Sequence, residues 1–204
     1  MYVLIPFSLA FFWSFAGSIP PATINLTVVQ LGLEGKTNLA WRLALGAALV
    51  EYPYAWIAIK LEGLIKSSPV VISNFQLIAA VVMTTLGILN LWSAKKPSAF
   101  IQKFNDSGFR RGLILGILNP LAMPFWIGVT AYLESQNLMT LSTNLEIHSY
   151  LLGVSMGGFC LLILLAYLSK KIAQGFQHNT FLKMIPGALM LIMGLYSFAR
   201  YLFF

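Results

Sequence analysis

Long apolar runs, separated by short polar or basic connections, make up nearly the whole chain. Six runs come close to or exceed the roughly 20 residues that a helix needs to cross a bilayer. They are residues 3–31, 39–59, 75–92, 109–133, 149–168 and 181–204. Polar marks bound them: Asn38 and Lys60 the second, Lys95-Lys96-Pro97 the third, Lys170-Lys171 the fifth. The first run continues past the apolar length of a signal peptide and has no basic residue before Pro6, so it reads as a retained spanning helix. The pattern predicts an all-α integral membrane protein with six transmembrane helices in a single domain, 1–204.

Two of the runs are interrupted. The first contains Gly17-Ser18-Ile19-Pro20-Pro21-Ala22-Thr23-Ile24-Asn25, and the fourth contains Gly116-Ile117-Leu118-Asn119-Pro120-Leu121-Ala122-Met123-Pro124. Proline has no amide N–H, and its ring clashes with the carbonyl four residues back. Pro20, Pro21 and Pro120 are therefore expected to free the carbonyls of Ala16, Gly17 and Gly116. An unpaired carbonyl in hydrocarbon costs several kcal/mol, so such breaks must be shielded by protein or line a wet cavity. Paired interruptions in the two halves of a membrane protein point to a transporter's central site.

The order of features repeats. Pro21 aligns with Pro120 and Gly17 with Gly116 at an offset of 99, while Gly46 aligns with Gly153 and Gly87 with Gly194 at 107. With three helices per half, the second copy must enter the membrane from the opposite side. The expected fold is two inverted three-helix repeats with proline-broken first and fourth helices. Repeat 1 covers about 1–95, repeat 2 about 108–204, and a cytoplasmic connection about 96–107. Basic residues set the orientation. Lys36, Arg42, Lys95, Lys96, Lys103, Arg110, Arg111, Lys170, Lys171 and Lys183 lie on one side, and only Lys60, Lys66 and Arg200 on the other. Both termini are thereby placed outside the cytoplasm.

Composition agrees. The 204 residues are 58% hydrophobic and 9% charged, with a mean hydropathy of +0.80. A soluble domain has roughly 45–50% apolar and about 25% charged residues. The net charge of +7 sits between the runs, where it orients the chain and does not suggest nucleic-acid binding. The single cysteine, Cys160, excludes an intrachain disulfide and reads as an apolar filler.

Glu51 is the sharpest candidate for chemistry, near the middle of the second run in Ala47-Ala48-Leu49-Val50-Glu51-Tyr52-Pro53-Tyr54. A central charge costs about 2.5–3.5 kcal/mol on insertion scales. A carboxyl at that depth can hold or lose a proton near neutral pH, as a proton-coupled carrier needs, or pair with a cationic substrate group. The plain alternative is a carboxyl that bonds a neighbouring helix and fixes packing. Its counterpart in the second half is Gly158, so a proton role would be asymmetric. Asn25 and Asn119 flank the breaks and suit either freed backbone groups or a ligand. Tyr52, Tyr54 and Trp56 offer an aromatic wall beside Glu51. Trp126 and the other tryptophans read mainly as interfacial belts. The Gly112-x-x-x-Gly116 and Gly153-x-x-x-Gly157 spacings suit close helix approach. His148 and His178 stand alone in connections, without metal-ligand spacing, and read as solvated. No nucleophile–base set, metal site or cofactor motif is visible, so an enzyme is not expected.

These motifs resemble the LysE/RhtB family of amino-acid exporters, small bacterial inner-membrane proteins with six predicted spans. The resemblance rests on Pro21-Ala22-Thr23-Ile24-Asn25, Gly32-Leu33-Glu34-Gly35, Gly46, Phe109-Arg110-Arg111-Gly112 and Asn119-Pro120-Leu121. It departs where Ala22 and Thr23 replace Gly and Pro, and where Leu121 replaces lysine. The likeness implies a secondary exporter of a small amino-acid-like solute in the bacterial inner membrane. Glu51, Pro20, Pro21, Asn25, Asn119, Pro120, Tyr52 and Tyr54 would serve substrate binding or coupling. The expected partners are that solute and the lipid bilayer, and self-association into a homo-oligomer is compatible with the sequence. The departures keep a second expectation open, a non-transporting accessory or scaffold protein with the same fold. An ion channel is less favoured, because no ring of like charges or filter-like carbonyl run is visible.

Overall fold

The computed structural model describes residues 3–19, 23–67, 107–119 and 122–176, with single positions at 77, 81, 84, 85, 88, 188, 191, 192, 195, 196, 198 and 199. Pro20, Pro21, Ala22, Pro120, Leu121, most of the third and sixth runs and most of the 96–107 connection lie outside these residues. Among the described residues the structure is helical without strands. Its helices are α1 (Leu4–Gly17), α2 (Thr23–Leu33), α3 (Thr37–Ser67), α4 (Gly108–Ile117), α5 (Ala122–Ser135) and α6 (Asn144–Phe176). The first run thus becomes α1 and α2, the second α3, the fourth α4 and α5, and the fifth α6.

The helix ends come in matched pairs. Past Gly17, the Ser18 and Ile19 amides donate to the Ser14 and Ala16 carbonyls at 3.0 and 3.2 Å. Past Ile117, the Leu118 and Asn119 amides donate to Ile114 and Gly116 at 2.9 and 3.0 Å. Ser18 and Leu118 also share one backbone conformation, φ −87°, ψ −5° and φ −83°, ψ 6°. These two turns lie 100 residues apart. The far ends match too. Gly35 is left-handed at φ 73°, with Lys36 N–H on the Leu31 carbonyl and Gly35 N–H on that of Gly32. Asn137 is left-handed at φ 54°, with Leu138 N–H on Leu133 and Asn137 N–H on Glu134. Both are Schellman endings, which satisfy the last carbonyls of a helix and turn the chain sharply. At the first of them the Lys36 ammonium bonds Glu34 at 2.9 Å and holds its carboxyl below the usual range.

The long helices exceed the apolar runs that predict them. α3 has 31 residues and α6 has 33. At about 1.5 Å per residue each reaches well beyond a hydrocarbon core roughly 30 Å thick. Lys60, Glu62 and Lys66 are good helix formers, so α3 continues where hydropathy falls. α6 starts early because Thr143 and Glu146 form a capping box. Glu146 N–H donates to Thr143 Oγ1 at 3.2 Å, while Thr143 and Ser142 N–H donate to Glu146 Oε2 at 2.9 and 3.0 Å. One described helix, Asn144–Ser169 within α6, is long and apolar enough to cross a membrane alone, and α4 with α5 passes as a span bent by 65°. In α5, Pro124 lies in the first turn, where its missing N–H would have had no partner.

Packing is exchanged between the halves. α1 and α2 lie against α6, whereas α4 and α5 lie against α3, and α3 and α6 pack on each other. The buried apolar residues form two clusters. One joins α1 and α5 to the long helices through Ala10, Ala55, Trp126, Leu133, Tyr150 and Val154. The other joins α2 and α4 to them through Val28, Leu31, Leu43, Ala47, Leu115 and Leu162. The two breaks are where the chain passes from one cluster to the other. Leu49, Leu152, Met156 and Tyr167 point outward from α3 and α6, as lipid-facing side chains do.

Glycines set the spacing of these contacts. A Cβ at Gly46 would collide with the Phe109 carbonyl oxygen, and one at Gly153 with that of Phe7. Gly112 meets the Leu43 carbonyl and Gly157 that of Phe11 in the same way. Gly112→Ala and Gly157→Ala should each destabilise the detergent-solubilised protein by about 1–3 kcal/mol. Gly63→Ala, which meets no atom within 4 Å, should be neutral or stabilising by about 0.5–1 kcal/mol. Thermal unfolding followed by circular dichroism separates the two groups.

Candidate functional site

Helical geometry decides what each polar residue near the breaks can reach. Successive positions on a helix turn by about 100°, so Glu51, Tyr52 and Tyr54 leave α3 in different directions. Glu51 is half-buried and faces α5, where Trp126 Nε1–H donates to its Oε2 at 3.0 Å. Tyr52 faces α6, its hydroxyl 2.6 Å from His148 Nδ1 and the two rings stacked 6.3 Å apart. Tyr54 faces the end of α4 and donates to the Ile117 carbonyl at 2.6 Å. Trp56 is exposed, with the Lys60 ammonium 5.9 Å above its ring. Tyr52 and Tyr54 therefore tie α3 to two different helices, and Trp56 is covered from α3 itself.

The backbone at each break is partly satisfied by short-range bonds. The Ala16 and Gly116 carbonyls, expected to be freed by Pro20 and Pro120, accept from Ile19 and Asn119 N–H in tight turns. Asn25, buried on α2, donates from Nδ2 to the Ser18 carbonyl at 2.5 Å and so bridges the first break. Asn119 is half-buried, and its own carbonyl accepts from Ala122 N–H at 3.5 Å. Tyr54 covers the carbonyl one helical position past Gly116. Pro20, Pro21 and Pro120 fall outside the described residues.

The two breaks share neighbours. Gly17, the last residue of α1, lies against the ring of Phe125. The next residue in α5 is Trp126, the donor to Glu51. Gly116, near the end of α4, lies against Val50, the residue before Glu51. Both interruptions are thus within one or two side chains of the same carboxyl. An open groove of about 400 Å³ runs past Tyr52, Pro53, Trp56, Asn144 and His148, between α3 and the start of α6.

Sequence reasoning missed three participants. Trp126 is only 1% exposed; its place beside the break, well inside the fourth run, was a signal against an interfacial role. His148 sits within α6, and the Thr143–Glu146 capping signature was the clue to that. Tyr150, fully buried, shares a hydrogen bond of 2.9 Å with Thr130 and meets the Trp126 ring edge-on at 6.0 Å. Gly158, the counterpart of Glu51, faces the Ser14 and Ser18 hydroxyls of α1.

Membrane-length helices, two interrupted segments and an acid between them make the architecture of a membrane translocator. The chain belongs to the LysE type translocator family, whose profile matches residues 15–200. Members of that family translocate amino acids or similar solutes across a membrane. Comparison with curated proteins and with solved structures gave no match.

Asn25→Leu keeps the side-chain bulk but leaves the Ser18 carbonyl without its donor. It should destabilise the protein by about 1–3 kcal/mol, the cost of an unsatisfied buried acceptor. The midpoint of thermal unfolding in detergent, compared with Gln30→Leu at an exposed position of α2, measures this.

Proposed function

We propose that this protein is a secondary exporter of a small amino-acid-like solute in the bacterial inner membrane, driven by proton exchange and working by alternating access. The observation that carries the reading is the convergence of both breaks on Glu51. Val50 packs on Gly116, Tyr54 holds the Ile117 carbonyl, and Trp126 links the carboxyl to Phe125 on Gly17.

The physical logic is that of a carrier built from two similar halves. The matched helix endings and the exchanged packing support an inverted repeat, each half offering one broken segment to the long helix of the other. Rocking one half against the other would open the breaks to alternate sides of the membrane. The basic residues at the α2–α3 turn and at the start of α4 favour a cytoplasmic location for those ends, with both termini outside. Glu51 then binds a proton or the cationic end of the solute. Asn25, Asn119, Tyr52 and Tyr54, with Pro20, Pro21 and Pro120, shape the path around it.

The test is flux of radiolabelled amino acids in proteoliposomes under an imposed pH gradient. The wild-type chain should move at least one of them, with a rate that varies with pH. Glu51→Gln should lower that rate by at least about tenfold, the scale of losing one charged interaction. Equal flux and an unchanged pH dependence in Glu51→Gln would remove Glu51 from the mechanism. Absence of flux for every amino acid in the wild type would favour a non-transporting scaffold that keeps the family fold.

A further inference from the structure

Trp126 has one polar atom and one polar task. Its indole is 1% exposed and is fixed edge-on against Tyr150 at 6.0 Å and Phe125 at 5.0 Å. Its Nε1–H is a donor only, and it points at Glu51 Oε2. The ring of the preceding residue, Phe125, covers Gly17 so closely that any Cβ there would overlap it. Taking Glu51 as the coupling group proposed above, we infer that Trp126 is a positioning residue for Glu51. The Phe125–Trp126 pair ties that carboxyl to the end of α1 at the first break.

The argument is one of charge and contact. A hydrogen bond to an ionised carboxylate is about twice as strong as one to a neutral acceptor. Ionised Glu51 therefore draws the indole in, and protonated Glu51 releases it. Trp126 and Phe125 are neighbours near the start of α5, so a shift of the indole changes how the Phe125 ring bears on Gly17. The absent side chain at Gly17 makes that contact tight. Proton occupancy on α3 is thereby joined to the position of the α1 terminus, which no direct Glu51 contact reaches. The other titratable groups on the surrounding helices are occupied or remote. Tyr52 and His148 bond each other, Tyr54 bonds the Ile117 carbonyl, and Tyr150 bonds Thr130. Tyr132 and Glu134 lie two turns further along α5, and Arg110 and Arg111 lie at the start of α4.

The test uses the full chain in liposomes and needs no substrate. Dicyclohexylcarbodiimide labels protonated carboxyls in apolar surroundings. At fixed pH, Trp126→Phe, which keeps the ring packing and deletes the donor, should raise the rate of Glu51 labelling by about tenfold. Gly17→Ala should also raise it, by pushing the Phe125 ring. Gly128→Ala on the same helix, where a Cβ meets nothing within 4 Å, should not. Tryptophan emission should show a pH transition that Glu51→Gln removes and His148→Gln retains. Wild-type labelling rates in Trp126→Phe, or a transition that survives Glu51→Gln, would overturn the positioning role. Equal rates in Gly17→Ala and Gly128→Ala would overturn the tie to α1. If these results hold while Glu51→Gln transports normally, the positioning stands and the exporter reading is what fails.

Discussion

A backbone interrupted at membrane depth must have its polar groups covered, because hydrocarbon offers no hydrogen bonds. Most of what is specific about this fold answers that constraint. The tight turns after α1 and α4 fold the Ala16 and Gly116 carbonyls back onto amides two residues past the helix ends. Asn25 reaches back from α2 to the Ser18 carbonyl, and Tyr54 reaches across from α3 to that of Ile117. The long helix of the opposite half lies against each break, α6 against the end of α1 and α3 against the end of α4. Glycines at 46, 108, 112, 153 and 157 let those helices approach to backbone contact.

The same arrangement concentrates function. Covering both interruptions with α3 and α6 brings the ends of α1 and α4 to the neighbourhood of one carboxyl. Glu51 costs the fold free energy at that depth, and one described hydrogen bond, from Trp126, offsets part of it. Gly158, by contrast, lies beside two serine hydroxyls. The proposed carrier uses this combination. In that proposal two similar halves would give two conformations of comparable energy, and one titratable group would make the exchange between them depend on an ion.

Much of this was legible in the amino-acid order. Hydropathy marked the runs that become the described helices. The proline clusters put the interruptions within a residue or two of where α1 and α4 end. The motif glycines fall at the close approaches. What escaped was partner choice. Nothing local says that α4 would pack on α3 and α1 on α6, because that depends on which helices cross. The indole of Trp126 looked like an interfacial ring, since composition cannot distinguish a ring at a lipid boundary from one sealed by Tyr150 and Phe125. The sequence left Tyr52, Tyr54 and Trp56 open between an aromatic wall and belt or packing roles, because sequence proximity hides the rotation of a helix. The α6 start was missed because capping chemistry at Thr143 and Glu146, not hydropathy, decides it. The Pro21–Pro120 alignment falls on residues outside those described, and only the turns before them, at Ser18 and Leu118, can be compared.

The central claim is that the first break must move relative to α5 for solute to cross. Cys160 is the only cysteine, so Cys160→Ser gives a thiol-free background. In it, Gly17→Cys and Phe125→Cys can be joined by a short bifunctional methanethiosulfonate reagent. With radiolabelled amino acids in proteoliposomes, flux should stop in the cross-linked protein and return when the link is reduced. Flux that continues unchanged through a complete cross-link would contradict the account.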